Sequence, residues 1–180
     1  MTPLGGGTGC RKLLTIAKNH SMASETPSSA LPLLGTRRVC QIAVVVRDLE
    51  RSARAYAAFF GLPVPPIFTT EPGHKVNQTY RGQPSDAQCK LAFFELENTT
   101  IELIQPLGGA SSWQEVLDQR GECIHHIAFQ VADTAGKERA LAARGIPLLH
   151  QGGDPKTGQF SYFDAREKLG LLVEALEGYK

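Results

Sequence analysis

The chain has 180 residues, of which 42% are hydrophobic and 21% charged, and this size and composition predict one globular domain. Lys and Arg number 19 and Asp and Glu 18, so the formal net charge of +1 provides no field to attract nucleic acid or an anionic membrane surface. No apolar segment approaches the roughly 20 residues that a membrane helix needs. The four cysteines are widely spaced and form no CxxC pair, which disfavours a disulfide scaffold and favours the cytoplasm or another reducing compartment.

Residues 1–38 differ in composition from the rest of the chain. They are rich in Gly, Ser, Thr and Pro, and contain five basic residues against a single acid, Glu25. Such a segment offers too little apolar surface to offset the entropy of the chain, so we expect a disordered leader. Its basic, acid-poor character is also compatible with a transit peptide, which makes a mitochondrion or another organelle the alternative to a cytoplasmic location.

The first half of the remaining chain predicts one helix and four strands in the order βαβββ. A β-branched run over 39–46 predicts a strand, and Asp48 can cap a helix over 49–60 whose apolar residues recur at i, i+3 and i+4. Gly61 and the proline two residues later end that helix. The pattern then predicts three further strands over 67–70, 88–96 and 100–105. A short amphipathic helix is predicted over 112–119, between the two halves.

The second half repeats this pattern at an offset of 85 residues. The run QIAVVVRD from Gln41 aligns with HIAFQVAD from His126, and the later IEL at 101–103 resembles VEA at 173–175. The repeat predicts these elements: a strand from about residue 124, a helix over 134–144, and strands over 147–151, 160–164 and 171–176. We therefore expect an α+β domain over 39–180 in which two βαβββ modules, about 39–108 and 121–180, form a curved sheet around a cleft.

The repeat places four residues with metal-ligand side chains at equivalent positions of the two modules. It pairs Gln41 with His126 and Glu102 with Glu174, and all four lie in predicted strands among apolar residues. A buried carboxylate is costly unless it is paired or bound to a cation. This mixed nitrogen and oxygen set suits one divalent ion such as Zn²⁺, Co²⁺, Ni²⁺ or Mn²⁺. Taken singly, each residue is more often structural, so the predicted metal site depends on the repeat.

Two other histidines lie near these positions. His125 precedes His126 in the same predicted strand, so regular alternation directs it to the opposite face of the sheet, in a structural role or a supporting one behind the ligands. His150 lies near a predicted strand end and is a candidate for contact with a substrate.

The chain contains four segments, QIAVVVRDLERSARAYAAFFGLP, LENTTIELIQPLG, GECIHHIAFQV and YFDAREKLGLLVEALE, that together resemble the vicinal oxygen chelate, or glyoxalase-type, superfamily. The resemblance is strongest to its methylmalonyl-CoA epimerase-like branch. By motif, the metal ligands of that family correspond to these residues: Gln41, Glu102, His126 and Glu174. The resemblance also implies a second acid near Asp86, which here lies in a loop-like stretch and is a second candidate for substrate binding.

The resemblance implies a metal-dependent isomerase or epimerase that moves a proton α to a carbonyl, with Glu102 or Glu174 as base. The expected substrate is a small carbonyl compound or an acyl thioester, and we also expect a homodimer. A lactoylglutathione lyase is the first alternative, because the ligand set resembles the zinc type, although Val45 and Pro106 stand where those enzymes have Arg and Asn. A ring-cleaving dioxygenase and a metal-free small-molecule binding protein of the same fold are the further alternatives.

Overall fold

The computed structural model describes residues 32–179, and these form a curved ten-stranded sheet with helices on both faces. The strands are β1 Gln41–Val45, β2 Phe68–Thr69, β3 Thr79–Tyr80, β4 Gln83–Pro84, β5 Cys89–Glu95, β6 Thr100–Pro106, β7 Cys123–Gln130, β8 Leu148–Asp154, β9 Gly158–Phe163 and β10 Leu172–Glu177. The helices are α1 Leu49–Phe60, α2 Ser112–Arg120, α3 Thr134–Ala142 and α4 Arg166–Leu169, with a 3-10 turn at Gly73–Val76. In this part of the chain no helix is long and apolar enough to span a membrane.

Each predicted module forms one half of the sheet. The strand order is β2-β5-β6-β1-β7-β10-β9-β8-β3-β4, so the first four strands belong to the first module and the next four to the second. Within the modules, β1 pairs in parallel with β6 and β7 in parallel with β10. The modules meet where β1 and β7 pair antiparallel. The predicted α+β fold of two βαβββ modules around a cleft is confirmed.

A short hairpin that the sequence pattern does not predict links the modules a second time. β3 and β4 belong to the first module by sequence, but β3 pairs antiparallel with β8 of the second module. Arg81 and Gly82 connect the two strands, and both have positive φ, as a tight two-residue hairpin turn requires. Strands of two residues are too short to show alternation, so their sequence carries no strand signal.

The helices divide between the two faces of the sheet. α1 begins after Asp48, whose side chain accepts a hydrogen bond from the backbone N–H of Arg51, and it packs Leu49 and Ala53 on the outer face. α3 covers the outer face of the second module. α2 instead packs Trp113 and its neighbours against the inner face, which is the face that carries Gln41 and the other inward side chains of β1. α2, which connects the two modules in sequence, therefore packs at the base of the cleft.

The predicted leader lies largely outside the described residues, which begin at residue 32. Leu34, within the predicted leader, is buried against Leu141 and Ile146 of the second module. Packing against the domain therefore starts upstream of the predicted boundary at residue 38. The polar composition of residues 1–38 as a whole gives no indication of this short apolar contact.

Candidate active site

Two adjacent rows of the sheet bring the four predicted ligands onto the inner face. Each row runs across the β1–β7 pair, where the two modules meet, and consists of a predicted ligand, an alanine and a second predicted ligand. The rows are Glu102, Ala43 and His126, and Gln41, Ala128 and Glu174. Both alanines are fully buried, and their single methyl groups leave space between the larger side chains on either side. The repeat and the strand alternation together therefore place the four side chains on one face of the sheet in two neighbouring rows.

The imidazole and the two acids lie close together. His126 Nε2 lies 2.9 Å from Glu174 Oε2 and 3.5 Å from Glu102 Oε2. His126 is fully buried and both carboxyl groups are nearly so. Although His126 Nε2 and Glu174 Oε2 are close, neither has a partner in hydrogen-bond geometry among residues 32–179. Gln41 is buried in the wall of the same cleft.

This arrangement suits a cation better than a direct hydrogen bond. Two ligand atoms bound to the same ion at about 2.1 Å are themselves about 3.0–3.4 Å apart, which is close to both measured separations. Imidazole nitrogen with carboxylate and amide oxygens is a donor set for divalent transition ions. Within the described residues, no group of three or more His, Cys, Asp or Glu side chains is arranged as a complete metal site. The four residues therefore fit an ion by chemistry and placement, without showing its coordination.

Burial shifts the pKa of each titratable ligand toward the neutral form. It raises the pKa of Glu102 well above its usual value, and the nearby charge of Glu174 adds to this shift. Burial also raises the pKa of Glu174, an effect that the hydroxyl of Tyr162 partly offsets. The pKa of His126 falls to about 3 because its ring is buried. Acids with raised pKa values are suited to accept and return a proton near neutral pH.

We expect the metal-free protein to lose stability as the pH rises above about 6.5. In the folded state Glu102 and Glu174 keep protons that the unfolded chain releases, so their contribution falls as the pH rises toward their raised pKa values. The lowered pKa values of His125, His126 and His150 act in the opposite direction, but their effect is complete above about pH 6.5, where unfolded histidine is neutral. Thermal denaturation in a chelating buffer measures this slope.

Glu174→Gln provides the comparison for this measurement, because it removes one of the two titrating carboxyl groups and keeps the side-chain size. The variant should lose less stability than the wild type between about pH 6.5 and about pH 8.5. Equal slopes in the two proteins would show that Glu174 does not titrate in this range.

A cavity of about 800 Å³ lies over the ligands. Its polar lining includes Gln41, Glu102 and Glu174 together with further acids and amides, among them Glu71, Glu95 and Asn98, and its apolar walls include several aromatic side chains: Phe68, Phe93, Trp113, Phe160, Tyr162 and Tyr179. Arg38 is the only Lys or Arg among its described lining residues. Arg38 belongs to the predicted leader, but it lies just before β1 and close in sequence to Gln41. A cavity of this volume can hold a ligand of the size of a cofactor or a drug molecule.

Asp86 and His150, the two predicted substrate contacts, do not line this cavity. Asp86 lies in an exposed loop, where its carboxylate accepts a hydrogen bond from the backbone N–H of His74. His150 is fully buried, and its Nδ1 lies 2.9 Å from the hydroxyl oxygen of Ser112. Direct contact of either residue with a substrate stays a prediction that its position does not support.

Regular alternation predicts that His125 points to the face opposite His126, but in the structure it does not. His126 pairs with Ala43 of β1. The next pair along the ladder joins Ile124 to Val44, so His125 has no partner there and forms a β-bulge. As a result His125 is buried beside His126, whereas Ile124 is about half exposed. Bulges redirect side chains in this way and are frequent next to active sites.

Comparison with known proteins gives consistent matches. Residues 40–163 match the Glyoxalase/Bleomycin resistance protein/Dioxygenase superfamily. The ethylmalonyl-CoA/methylmalonyl-CoA epimerase of Cereibacter sphaeroides is 32% identical over 142 residues, which cover 76% of this chain and 95% of that protein. The mitochondrial methylmalonyl-CoA epimerase of Dictyostelium discoideum is 27% identical over 173 residues, which cover 91% of this chain and 95% of that protein.

A solved structure supports the same fold. A variant of the Streptomyces coelicolor methylmalonyl-CoA epimerase in complex with 2-nitronate-propionyl-CoA has a TM-score of 0.55 to this chain at 19% identity. The similarity covers 79% of this chain and 98% of that one. At this identity, the structural match describes the arrangement of the sheet and helices.

Proposed function

The chain belongs to the glyoxalase/bleomycin resistance protein/dioxygenase superfamily, and from this membership we propose that it is a metal-dependent epimerase acting α to the carbonyl of an acyl-CoA thioester such as methylmalonyl-CoA. The observation that carries the proposal is the placement of Glu102 and Glu174. They lie on β6 and β10, on either side of the seam formed by β1 and β7. Epimerisation removes a proton from one face of a carbon and returns it to the other, which two opposed acids suit.

The residues that would hold the divalent ion, Zn, Co, Ni or Mn, are Gln41, Glu102, His126 and Glu174. When bound, the ion supplies positive charge that lowers the cost of forming an enolate. The protein itself contributes the proton transfers. Burial raises the pKa of each carboxyl group and the charge of a bound ion would lower it again, and the position of each group beside the ion places it to take the α-proton and return it.

The cavity supports the choice of an acyl thioester as substrate. Its volume of about 800 Å³ is larger than a short carboxylic acid requires. Arg38 at its wall offers a positive charge for the phosphate groups of coenzyme A. The Streptomyces coelicolor relative binds an acyl-CoA analogue in its complex. By contrast Val45, where lactoylglutathione lyases resemble one another in having Arg, is fully buried in the core and offers no group for a glutathione carboxylate.

Isotope exchange tests the proposed reaction. The protein should incorporate deuterium at the α-carbon of methylmalonyl-CoA in D₂O, and only after loading with a divalent ion. Mass spectrometry of the recovered thioester measures the incorporation. Asp118→Asn, which alters an exposed acid of α2 that is not part of the cavity lining, serves as the control and should exchange like the wild type. Absence of exchange in the metal-loaded protein would contradict the proposal, and turnover of a glutathione hemithioacetal would favour the lyase.

Two further parts of the proposal concern assembly and location. The expected homodimer stays a proposal, and three exposed apolar side chains at the end of α1 and just after it, Phe59, Leu62 and Val64, are candidates for its interface. A cytoplasmic location and an organelle reached through the leader both stay predictions. The relatives include one named as mitochondrial and one from a bacterium.

A further inference from the structure

A chain of buried polar contacts extends from His126 to the first turn of α2. His126 Nδ1 lies 2.9 Å from His125 Nδ1. His125 Nε2 lies 3.2 Å from Ser112 Oγ, which in turn lies 2.9 Å from His150 Nδ1. All four side chains are at most 1% exposed, so bulk water does not compete for these groups.

The backbone N–H of Ser112 gives this chain of contacts a direction. Its nitrogen lies 3.4 Å from His150 Nδ1, a long contact, and because an N–H can only donate, it favours an unprotonated Nδ1 on His150. The hydroxyl of Ser112 then also donates to His150, and its oxygen accepts from the Nε2–H of His125. Neutral His125 therefore has an unprotonated Nδ1, which can only accept a proton from the Nδ1–H of His126.

The surroundings of His125 account for its neutral form. Its polar contacts are the ring of His126 and the hydroxyl of Ser112, and no carboxylate in the described part of the chain forms an ion pair with it. A charge without a partner at a fully buried position would be costly. The proton directions along the chain are therefore consistent from Ser112 to His126.

We infer that Ser112, His125 and His150 are positioning residues that hold His126 as the Nδ1–H tautomer and leave the lone pair of its Nε2 for a cation. Nε2 is the atom that faces the two carboxyl groups. The inference deepens the proposed function and rests on it for the role of the ion. The tautomer itself is a property of the metal-free protein.

Two local features of the backbone make this chain of contacts possible. On a regular strand, His125 would lie across the sheet from His126, but the β-bulge brings both rings to the inner face. Ser112 is the first residue of α2, so its N–H has no partner within the helix. Ser111, the N-cap, accepts the hydrogen bond from the N–H of Gln114 instead. The N–H of Ser112 is thus available for His150.

Long-range ¹H–¹⁵N spectra of metal-free protein labelled at the histidine ring nitrogens test the tautomers directly. We expect His126 to be protonated at Nδ1, and His125 and His150 at Nε2. A metal-free protein with neutral His126 protonated at Nε2 would overturn the inference, whether or not the protein binds an ion. The expected tautomers in a protein that binds no divalent ion would instead contradict the proposed function.

Variants of Ser112 test the consequence for metal binding. Ser112→Ala should weaken Co²⁺ binding by about 10–100-fold, measured by competition with a chelator, as is typical when the support of a histidine ligand is lost. Ser111→Ala is the matched control, since it removes a neighbouring buried hydroxyl that caps α2. It should lower the melting temperature but keep the Co²⁺ affinity. Equal affinities in the two variants would overturn the inference.

A second pair of variants separates hydrogen bonding from packing. His125→Asn places a carbonyl oxygen near the position of Nδ1, where it can still accept from His126, whereas His125→Leu fills the space without an acceptor. We expect the Asn variant to bind Co²⁺ more tightly than the Leu variant and to keep the Nδ1–H signal of His126. Equal Co²⁺ affinities would assign His125 a packing role only.

Discussion

Glu102→Gln and Glu174→Gln should each lower the rate of epimerisation by about 10²–10⁴-fold, the range that one positioned proton-transfer group contributes. Glutamine keeps the side-chain size and an oxygen that can bind an ion, but it cannot accept the α-proton. Because the two acids lie on opposite sides of the seam between β1 and β7, each variant should retain the group that serves one face of the carbon. We therefore expect each variant to exchange the α-proton of only one epimer in D₂O, and the two variants to differ in which one.

Metal content measured on the same samples distinguishes lost proton transfer from lost metal. Both variants should retain a divalent ion, and Asp118→Asn should epimerise at the wild-type rate. If both glutamine variants, with metal bound, epimerise as fast as the wild type, neither acid carries the proton. The base would then have to be sought among other residues, because Asp86 and His150, the remaining candidates from the sequence, do not line the cavity.

His126→Ala should abolish retention of a divalent ion during dialysis. His126 supplies the only nitrogen ligand atom among the four candidate ligands. Loss of a residue that supports a ligand typically lowers metal affinity by up to about 100-fold, so loss of the ligand itself should lower it by more. Elemental analysis of the dialysed protein measures the retained ion. His74→Ala, which removes an exposed ring outside the main cavity, should retain it as the wild type does. Wild-type metal content in His126→Ala would place the ion at another site.

The repeat in the sequence was sufficient to predict most of the fold and to bring the candidate ligands together. Gln41 and His126 occupy equivalent strand positions, and alternation along each strand then puts them on the same face as the acids. The alanines between them, Ala43 and Ala128, are also part of the two aligned runs. The sequence therefore contained both the ligands and the space between them.

The supporting contacts could not be predicted in the same way. A β-bulge depends on the register between two strands, so the run CIHHIAF does not reveal that His125 turns toward His126. A second irregularity at Leu149 accompanies the inward position of His150, which the sequence analysis treated as accessible to a substrate. Ser112 was predicted only as the start of a helix. Its importance arises from tertiary contacts with both histidines.

The pairing of β3 with β8 changes what the duplication means for motion. Two similar halves that were joined only where β1 pairs with β7 could open by a hinge motion about that pair. Here the halves are joined both at β1 with β7 and, through the hairpin, at β3 with β8. Opening about the β1–β7 pair would have to break the backbone hydrogen bonds between β3 and β8 or move the hairpin relative to β2 and β5, to which loops connect it. The two halves are therefore connected at two places, which restricts movement of one half against the other. We expect ligand exchange to depend on side chains and loops at the rim of the cleft.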